Sequence, residues 1–292
     1  MISKFNSYSR IIINFHKNVL GKSPSKSELE SKHKGKRGHW LETKLGGKID
    51  ADGNADLNGY ECKVKSQKTT WGDWGAPYRI FSDKRYTVFN KKHSHENMHF
   101  FVKTFGLQRN EVDKGIYYSM SGKDFPQKIN DSTDTGLSLI EKNSDILMQY
   151  SFSKDKRKNK KKLVPNALQK NNLLIYQWHG TDNNYNVYVN NIKINNLPID
   201  IKKTSFSLEE RVRRKFGIYG VVVGLYDKSK GFYGLEFLKV VTFNDWLDAF
   251  KNKDIIFDSG LTTLSKRQRN QWRSSAKFMG SLVVNTYIPK IP

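Results

Sequence analysis

The chain is poor in cysteine, in acids and in long apolar runs. A single cysteine among 292 residues, Cys62, excludes intramolecular disulfides and any zinc site built on several thiolates, and it suits a reducing compartment. The apolar run nearest the N-terminus, Ile11-Ile12-Ile13, is broken by Asn14 and His16. It is too short for a signal peptide or a membrane span, so a soluble, cytoplasmic protein with no membrane partner is expected. No G-x-x-x-x-G-K-[ST] loop, G-x-S-x-G elbow or dinucleotide fingerprint occurs, which argues against ATP hydrolysis and nucleotide-cofactor redox chemistry. "GIYYS" and "FGIYG" share a nuclease motif's spelling but not its spacing or order. No internal repeat with a period of about 20 to 50 residues is visible.

The shortage of acids is informative. Against 51 Lys+Arg stand 28 Asp+Glu, a net charge of +23, so the natural partner is a polyanion. A biased genome accounts for abundant lysine and asparagine but not for so few acids. With 37% hydrophobic and 13% aromatic residues the chain can bury real cores, in one large or two modest domains.

Where the few acids gather therefore matters. In "ADLNGYECK" (55–63), Asn58-Gly59 predicts a two-residue hairpin turn, because both turn positions need positive φ. That turn pairs Leu57 with Tyr60 and Asp56 with Glu61. Opposed carboxylates about 5 Å apart repel, and alternation puts Lys63 on the face of Glu61 with Cys62 on the other. A divalent cation would turn the repulsive pair into ligands, as Mg²⁺ takes one or two carboxylates plus water and substrate phosphate. The competing reading is a solvated hairpin tip with Lys63 screening the acids.

Along the chain, residues 5–20 predict an amphipathic helix. Pro24 with Ser25-x-x-Glu28 restarts a second, and "GHWLETKL" (38–45) forms a third, stopped by Gly46-Gly47, with Leu41 and Leu45 inward and Glu42 beside them. "WGDWGAPYR" reads as a loop and "RYTVF" (85–89) as a strand. Residues 106–170 are mixed and end in the basic tract 154–162, "KDKRKNKKK", a block of like charge expected to be a mobile loop or arm. It is either a solvated linker or a phosphate-grasping arm carrying Lys158 and Lys160. "NLLIYQWHG" and "YNVYVNNIKI" read as adjacent strands. "SLEERVRRKF" follows as a helix opened by a Ser207-x-x-Glu210 box, then "YGVVVGLYD" and "GLEFLKVVTF" as buried strands, then "NDWLDAFKN" as a short helix. His93-x-His95-x3-His99 reads as exposed loop histidines rather than a metal site. The segment "KRQRNQWRS" sets Arg267, Arg269 and Arg273 among Gln268, Asn270 and Gln271, the side chains that read guanine and adenine in the major groove; a basic surface helix touching only phosphates is the alternative.

"GKRGHWLETKLGG" followed by "ADLNGYECKVKS" resembles the core of the MvaI/BcnI group of restriction endonucleases and of their mismatch-repair relative MutH, within the PD-(D/E)XK nuclease superfamily. The four-residue gap between Asp56 and Glu61 is similar to the MvaI/BcnI members; the MutH gap is longer. The resemblance implies Glu42, Asp56, Glu61 and Lys63 as the active site, with Asp56 and Glu61 holding Mg²⁺, and it implies products with 5′-phosphate and 3′-hydroxyl ends. "YRIFSDK", ending at Lys84, resembles the strand after the lysine motif and makes Lys84 a DNA contact. More faintly, "NKDIIFDSGLTT", the basic segment and "SSAKF" resemble the base-reading region, which implicates Arg267, Arg269, Gln271 and Arg273. Members carry His-Asp-type residues where this chain has "KRQRNQWRS", so the recognised sequence does not transfer.

The expected fold is then mixed α/β: a restriction-endonuclease-like core, a mixed central sheet flanked by helices, with a catalytic lobe in 1–105 and a DNA-recognition lobe in 106–292. The expected function is a type II restriction endonuclease, a Mg²⁺-dependent hydrolase of double-stranded DNA, acting as a monomer, with a cognate DNA methyltransferase in the same host. A MutH-like nickase or recombination nuclease, and a non-enzymatic nucleic-acid-binding protein, remain alternatives.

Overall fold

A computed structural model of the chain describes residues 4–29, 36–47, 54–122, 125–181, 187–189, 192–194 and 206–290. In chain order the elements are α1 (Lys4–Asn14), continued by a π turn (Phe15–Val19); α2 (Lys26–Leu29); α3 (Lys36–Lys44); β1 (Tyr60–Val64); β2 (Lys68–Asp73); β3 (Tyr78–Arg79); α4 (Ser94–Phe105); β4 (Leu107–Glu111); β5 (Gly115–Met120); β6 (Thr135–Lys142); and β7 (Asp145–Asp155). There follow α5 (Lys160–Leu163), β8 (Leu173–Trp178), β9 (Val187–Val189), β10 (Ile192–Ile194), α6 (Leu208–Phe216), β11 (Gly220–Asp227), β12 (Gly231–Leu238), α7 (Phe243–Lys251), β13 (Ile255–Ser259), β14 (Leu261–Thr262), β15 (Asn270–Ser275), α8 (Ala276–Ser281) and β16 (Val283–Tyr287). The mixed α/β class matches the expectation. Among the described residues no helix is long and apolar enough to cross a membrane.

The chain divides into two compact units. The first takes residues 1–69, 209–246 and 274–292, the second 70–208 and 247–273. This partition is discontinuous, whereas the sequence reading divides the chain once, after residue 105. The reason is pairing: β1, from the N-terminal third, lies parallel to β11, with Glu61 opposite Val221 and Lys63 opposite Val223.

In the first unit the sheet order is β1-β11-β12-β16, mixed because β12 and β16 join antiparallel. Ile11, Phe15, Trp40, Leu41, Tyr60, Cys62, Val222, Phe232 and Phe237 form one core over this sheet. Trp40 stacks on Phe232 with ring centroids 5.5 Å apart. Burying such large apolar side chains favours the folded state. Ser25 and Glu28 make the reciprocal capping bonds that open α2, as the sequence predicts. The Asn58-Gly59 turn also forms: both residues have positive φ, 49° and 107°, and Leu57 and Tyr60 bond backbone to backbone. Pairing stops at that one bridge, however, so Asp56 does not face Glu61 across a ladder. Instead its Oδ2 accepts the Cys62 backbone N–H at 3.0 Å.

In the second unit the sheets are β3-β8-β7-β6, β14-β5-β4 and β13-β15-β2. Trp178, Phe250, Phe257 and Trp272 pack around one another, with Trp178 and Trp272 centroids 5.3 Å apart. Four sequence expectations are corrected here. "WGD" is the end of β2, not loop, because Thr69 and Trp71 alternate inward. "RYTVF" is not a strand: Asp83 accepts from the backbone and side chain of Arg85, and the chain coils into a 3₁₀ turn over Thr87–Phe89. Local carboxylate bonds of this kind compete with strand ladders. β9 and β10 pair with each other, whereas β8 pairs with β7 and β3. His93 and His95 open helix α4 rather than lying in a loop, and His99 bonds the Ser265 carbonyl.

The basic tract is not a free arm either. Arg157 grips the buried Asp155 and donates to the carbonyls of Thr104 and Gly106 at the end of α4, where a cation meets the negative end of the helix dipole. Lys160 donates to the Phe152 and Asp155 carbonyls at 2.8 and 2.7 Å. Lys158, Lys161 and Lys162 point outward.

Candidate active site

Four acidic and basic positions singled out by sequence come together in the first unit, and a fifth joins them. Glu42 reaches the site from the last turn of α3. Leu41 and Leu45 of that stretch are fully buried, so the helix is fixed with Glu42 beside its packed face. Gly47 follows the helix so closely that a Cβ there would lie 2.9 Å from Glu42 Cγ, which leaves room for no larger residue. Glu61 and Lys63 project from one face of β1, while Tyr60 and Cys62 enter the core on the other, the alternation expected of a strand. Burial pushes the Cys62 thiol well above its usual range, with the carboxylates of Asp56, Glu61 and Glu42 adding to it. Cys62 is therefore a core thiol, not a nucleophile.

Glu61 is completely buried. Its Oε1 accepts a hydrogen bond from Lys63 Nζ and lies 3.2 Å from Lys215 Nζ. Its Oε2 is buried and takes no hydrogen bond from any described residue. An orphaned carboxylate oxygen in the interior costs about 1–3 kcal/mol or more, so Oε2 is suited to one further cationic partner. Burial raises the Glu61 carboxyl, opposed by the charges of Lys63 and Lys215. Burial acts to lower Lys63, but the Glu61 charge and hydrogen bond, with Asp56 behind them, outweigh it and raise its pKa. Lys63 thus carries its proton.

Glu42 is pushed up to about 7, first by burial and then by the charges of Asp56 and Glu61. His39 Nδ1 stands 3.7 Å from its Oε2. The three carboxylates therefore share one electrostatic field. Among the described residues no three His, Cys, Asp or Glu side chains form a ready-made cage for an ion. A metal here would rest on Asp56 and Glu61 with water and substrate oxygens, and the unpartnered Oε2 fits that role.

Lys215 was not anticipated from sequence. It sits on α6, whose Leu208, Val212 and Phe216 are buried at four-residue spacing, and whose Arg213 and Arg214 are drawn off by Glu210. Nothing local marks it. Only the parallel pairing of β11 with β1 brings the end of α6 to Glu61, where the Tyr219 N–H bonds the Gly59 carbonyl at 2.8 Å.

The expected DNA contacts all lie in the second unit. Lys84, Lys158, Arg267 and Arg269 are exposed. Arg273, by contrast, pairs with Asp258 at 2.9 Å and bonds Gln271. "NQWRSS" is strand β15 with Trp272 fully buried, which overturns the alternative of a basic surface helix. Gln268, on the loop before it, accepts from Arg79 at 2.8 Å.

Comparison with known proteins follows the same line. The model of a family described as LlaMI restriction endonuclease matches residues 21–287. The type II restriction enzyme ScrFI of Lactococcus lactis subsp. cremoris is 31% identical over 281 residues, spanning 95% of this chain and 97% of that protein. A solved complex of restriction endonuclease MvaI with its cognate DNA substrate aligns over 99% of both chains, at 12% identity and a TM-score of 0.48. Since the family match takes in both the carboxylate-lysine cluster and the arginine-rich loop before β15, and the ScrFI likeness runs nearly end to end, the chain belongs to the LlaMI family of restriction endonucleases.

Proposed function

We propose that this restriction endonuclease is a Mg²⁺-dependent, sequence-specific hydrolase of double-stranded DNA with a PD-(D/E)XK-type centre formed by Glu42, Asp56, Glu61 and Lys63. The observation that carries the proposal is the buried Glu61, whose Oε1 is held by lysine while Oε2 has no partner. Asp56 and Glu61 would hold the ion. When bound, it neutralises charge on the phosphate and lowers the pKa of water. Lys63, protonated, stabilises the negative charge of the attacking oxygen and of the phosphoryl oxygens as the bond to phosphorus forms. Glu42 closes the acidic field and orients Lys63. Water attack at phosphorus, with the 3′ oxygen leaving, yields 5′-phosphate and 3′-hydroxyl ends.

Among the described residues one such cluster occurs, with chemistry for one phosphate at a time. A monomer that cuts the two strands in sequence is therefore proposed rather than a two-fold dimer matched to a palindrome. Plasmid incubated with limiting enzyme in Mg²⁺ is expected to pass through nicked circles before linear DNA, with an initial rate first order in protein and ligatable ends mapping to one recurring sequence. A second-order rate with no nicked intermediate would favour a dimer, and retention of uncut plasmid in Mg²⁺ would favour a binding protein.

Base reading falls to the loop before β15. Arg269→Ala should cost about 1 to 3 kcal/mol on the preferred site and little on random duplex, while Lys158→Ala should weaken all duplexes alike and reduce the salt slope by about one. Lys160→Ala, whose ammonium is spent on backbone carbonyls, should lower stability by about 1 kcal/mol and leave duplex affinity unchanged. Binding isotherms at several salt concentrations separate the three; equal effects on specific and random DNA from Arg269→Ala would reduce that loop to a phosphate contact.

A further inference from the structure

Two ammonium groups on one carboxylate oxygen is an arrangement that chemistry at Lys63 alone does not explain. Glu61 is wholly buried, and Lys63 and Lys215 approach the same Oε1 from different elements, β1 and α6. Lys63 has a second task at the reacting phosphate. If it were the sole partner of Glu61, each move toward substrate would strand a buried anion, which is strongly destabilising. We propose that Lys215 is a positioning residue: it holds Glu61 Oε1 so that Oε2 stays turned to the cation site while Lys63 is free to leave Glu61 for the phosphate.

The geometry supports this division of labour. Lys63 shares its strand with Glu61 and lies only two residues away, so it travels with β1 and can swing along its face. Lys215 is anchored on a helix fixed by Val212 and Phe216, both buried. The neighbouring Arg213 and Arg214 cannot substitute, because Glu210 holds both.

The inference rests on the reading of Glu61 as part of the cleavage centre, and the test separates the two. The full-length protein is compared with Lys215→Met, Lys215→Arg, Glu61→Gln and the Glu61→Gln/Lys215→Met double variant. In metal-free buffer, Lys215→Met should lower the unfolding midpoint in denaturant, and it should have no effect in the Glu61→Gln background. Such non-additivity is the mark of a direct contact. In Mg²⁺, Lys215→Met should lower kcat by about 10- to 100-fold, the size that a misplacement of about 1 Å carries. KM, and duplex affinity in Ca²⁺, should stay within about twofold, and Lys215→Arg should recover most of the rate. Lys215→Gln replaces Lys215→Met if the latter does not fold. Loss of duplex affinity with a flatter salt slope would make Lys215 a phosphate contact and overturn the proposal, as would an unchanged kcat. Full cleavage by Glu61→Gln would overturn the reading of the site itself.

Discussion

Lys63→Ala and Asp56→Ala proteins are expected to cut DNA at least about 10² to 10³ times more slowly than wild type, the loss that follows removal of one preorganised charge from a reacting centre. Both should hold duplex DNA within a few fold of wild type in Ca²⁺. The two effects separate because Lys63 and Asp56 belong to the centre around a buried carboxylate, not to an exposed basic surface: Lys63 donates to Glu61, and Asp56 accepts the backbone N–H of Cys62. For Asp56→Ala a second consequence follows, since the Cys62 N–H loses its acceptor and β1 loosens where Glu61 leaves it. Single-turnover cleavage beside filter binding in Ca²⁺ measures both quantities. Wild-type rates in Lys63→Ala would remove Lys63 from the chemistry.

The second large effect is on stability. With its pKa raised to about 7 in the folded protein from an ordinary value of 4.5, Glu42 favours the folded state only while protonated. Its contribution is fully present below about pH 4.5 and is lost as pH rises through 7. Above that, the charged carboxylate, desolvated by burial and set beside Asp56 and Glu61, costs about 2 to 3 kcal/mol. Glu42→Gln should therefore stabilise the metal-free protein by about 2 to 3 kcal/mol at pH 8, raising Tm by about 3 to 5 °C, and should do little at pH 5. Melting curves in EDTA at the two pH values check this. A gain of equal size at both would show that burial and its acidic neighbours do not hold the Glu42 carboxyl protonated. The stability gained comes at a site whose repulsion the protein keeps, as centres that bind cations do.

Much of this centre was legible because its information is local. Asn58-Gly59 imposes positive φ at both positions, and strand alternation follows from it, so Glu61 and Lys63 had to share a face. The Ser25-Glu28 box and the glycines after α3 acted in the same short range. What failed was long range. The pairing of Asp56 with Glu61 assumed a ladder that ends at Leu57, since β1 takes its partner from β11 instead. Lys215 depends on that same pairing. A block of like charge such as 154–162 reads as unpackable, but backbone carbonyls take up two of its cations: those at the end of α4, far along the chain, hold Arg157, and those of Phe152 and Asp155 near the end of β7 hold Lys160. Arg273 likewise finds Asp258 across the β13-β15 pair. For the arginine-rich loop, composition showed the residue types but not which of them were already spoken for.

The most direct test of the central claim, that a cation held by Asp56 and Glu61 contacts the scissile phosphate, replaces one non-bridging oxygen of that phosphate with sulfur. Sulfur is a poor ligand for Mg²⁺ and a better one for softer ions. Duplexes carrying each phosphorothioate diastereomer at the cut position are incubated with wild-type protein in Mg²⁺, Mn²⁺ or Cd²⁺, with EDTA as control. The account predicts that one diastereomer is cut slowly in Mg²⁺, that Mn²⁺ or Cd²⁺ restores its rate, and that EDTA abolishes all cleavage. Cleavage that survives EDTA, or a sulfur effect of the same size in every ion, would contradict it.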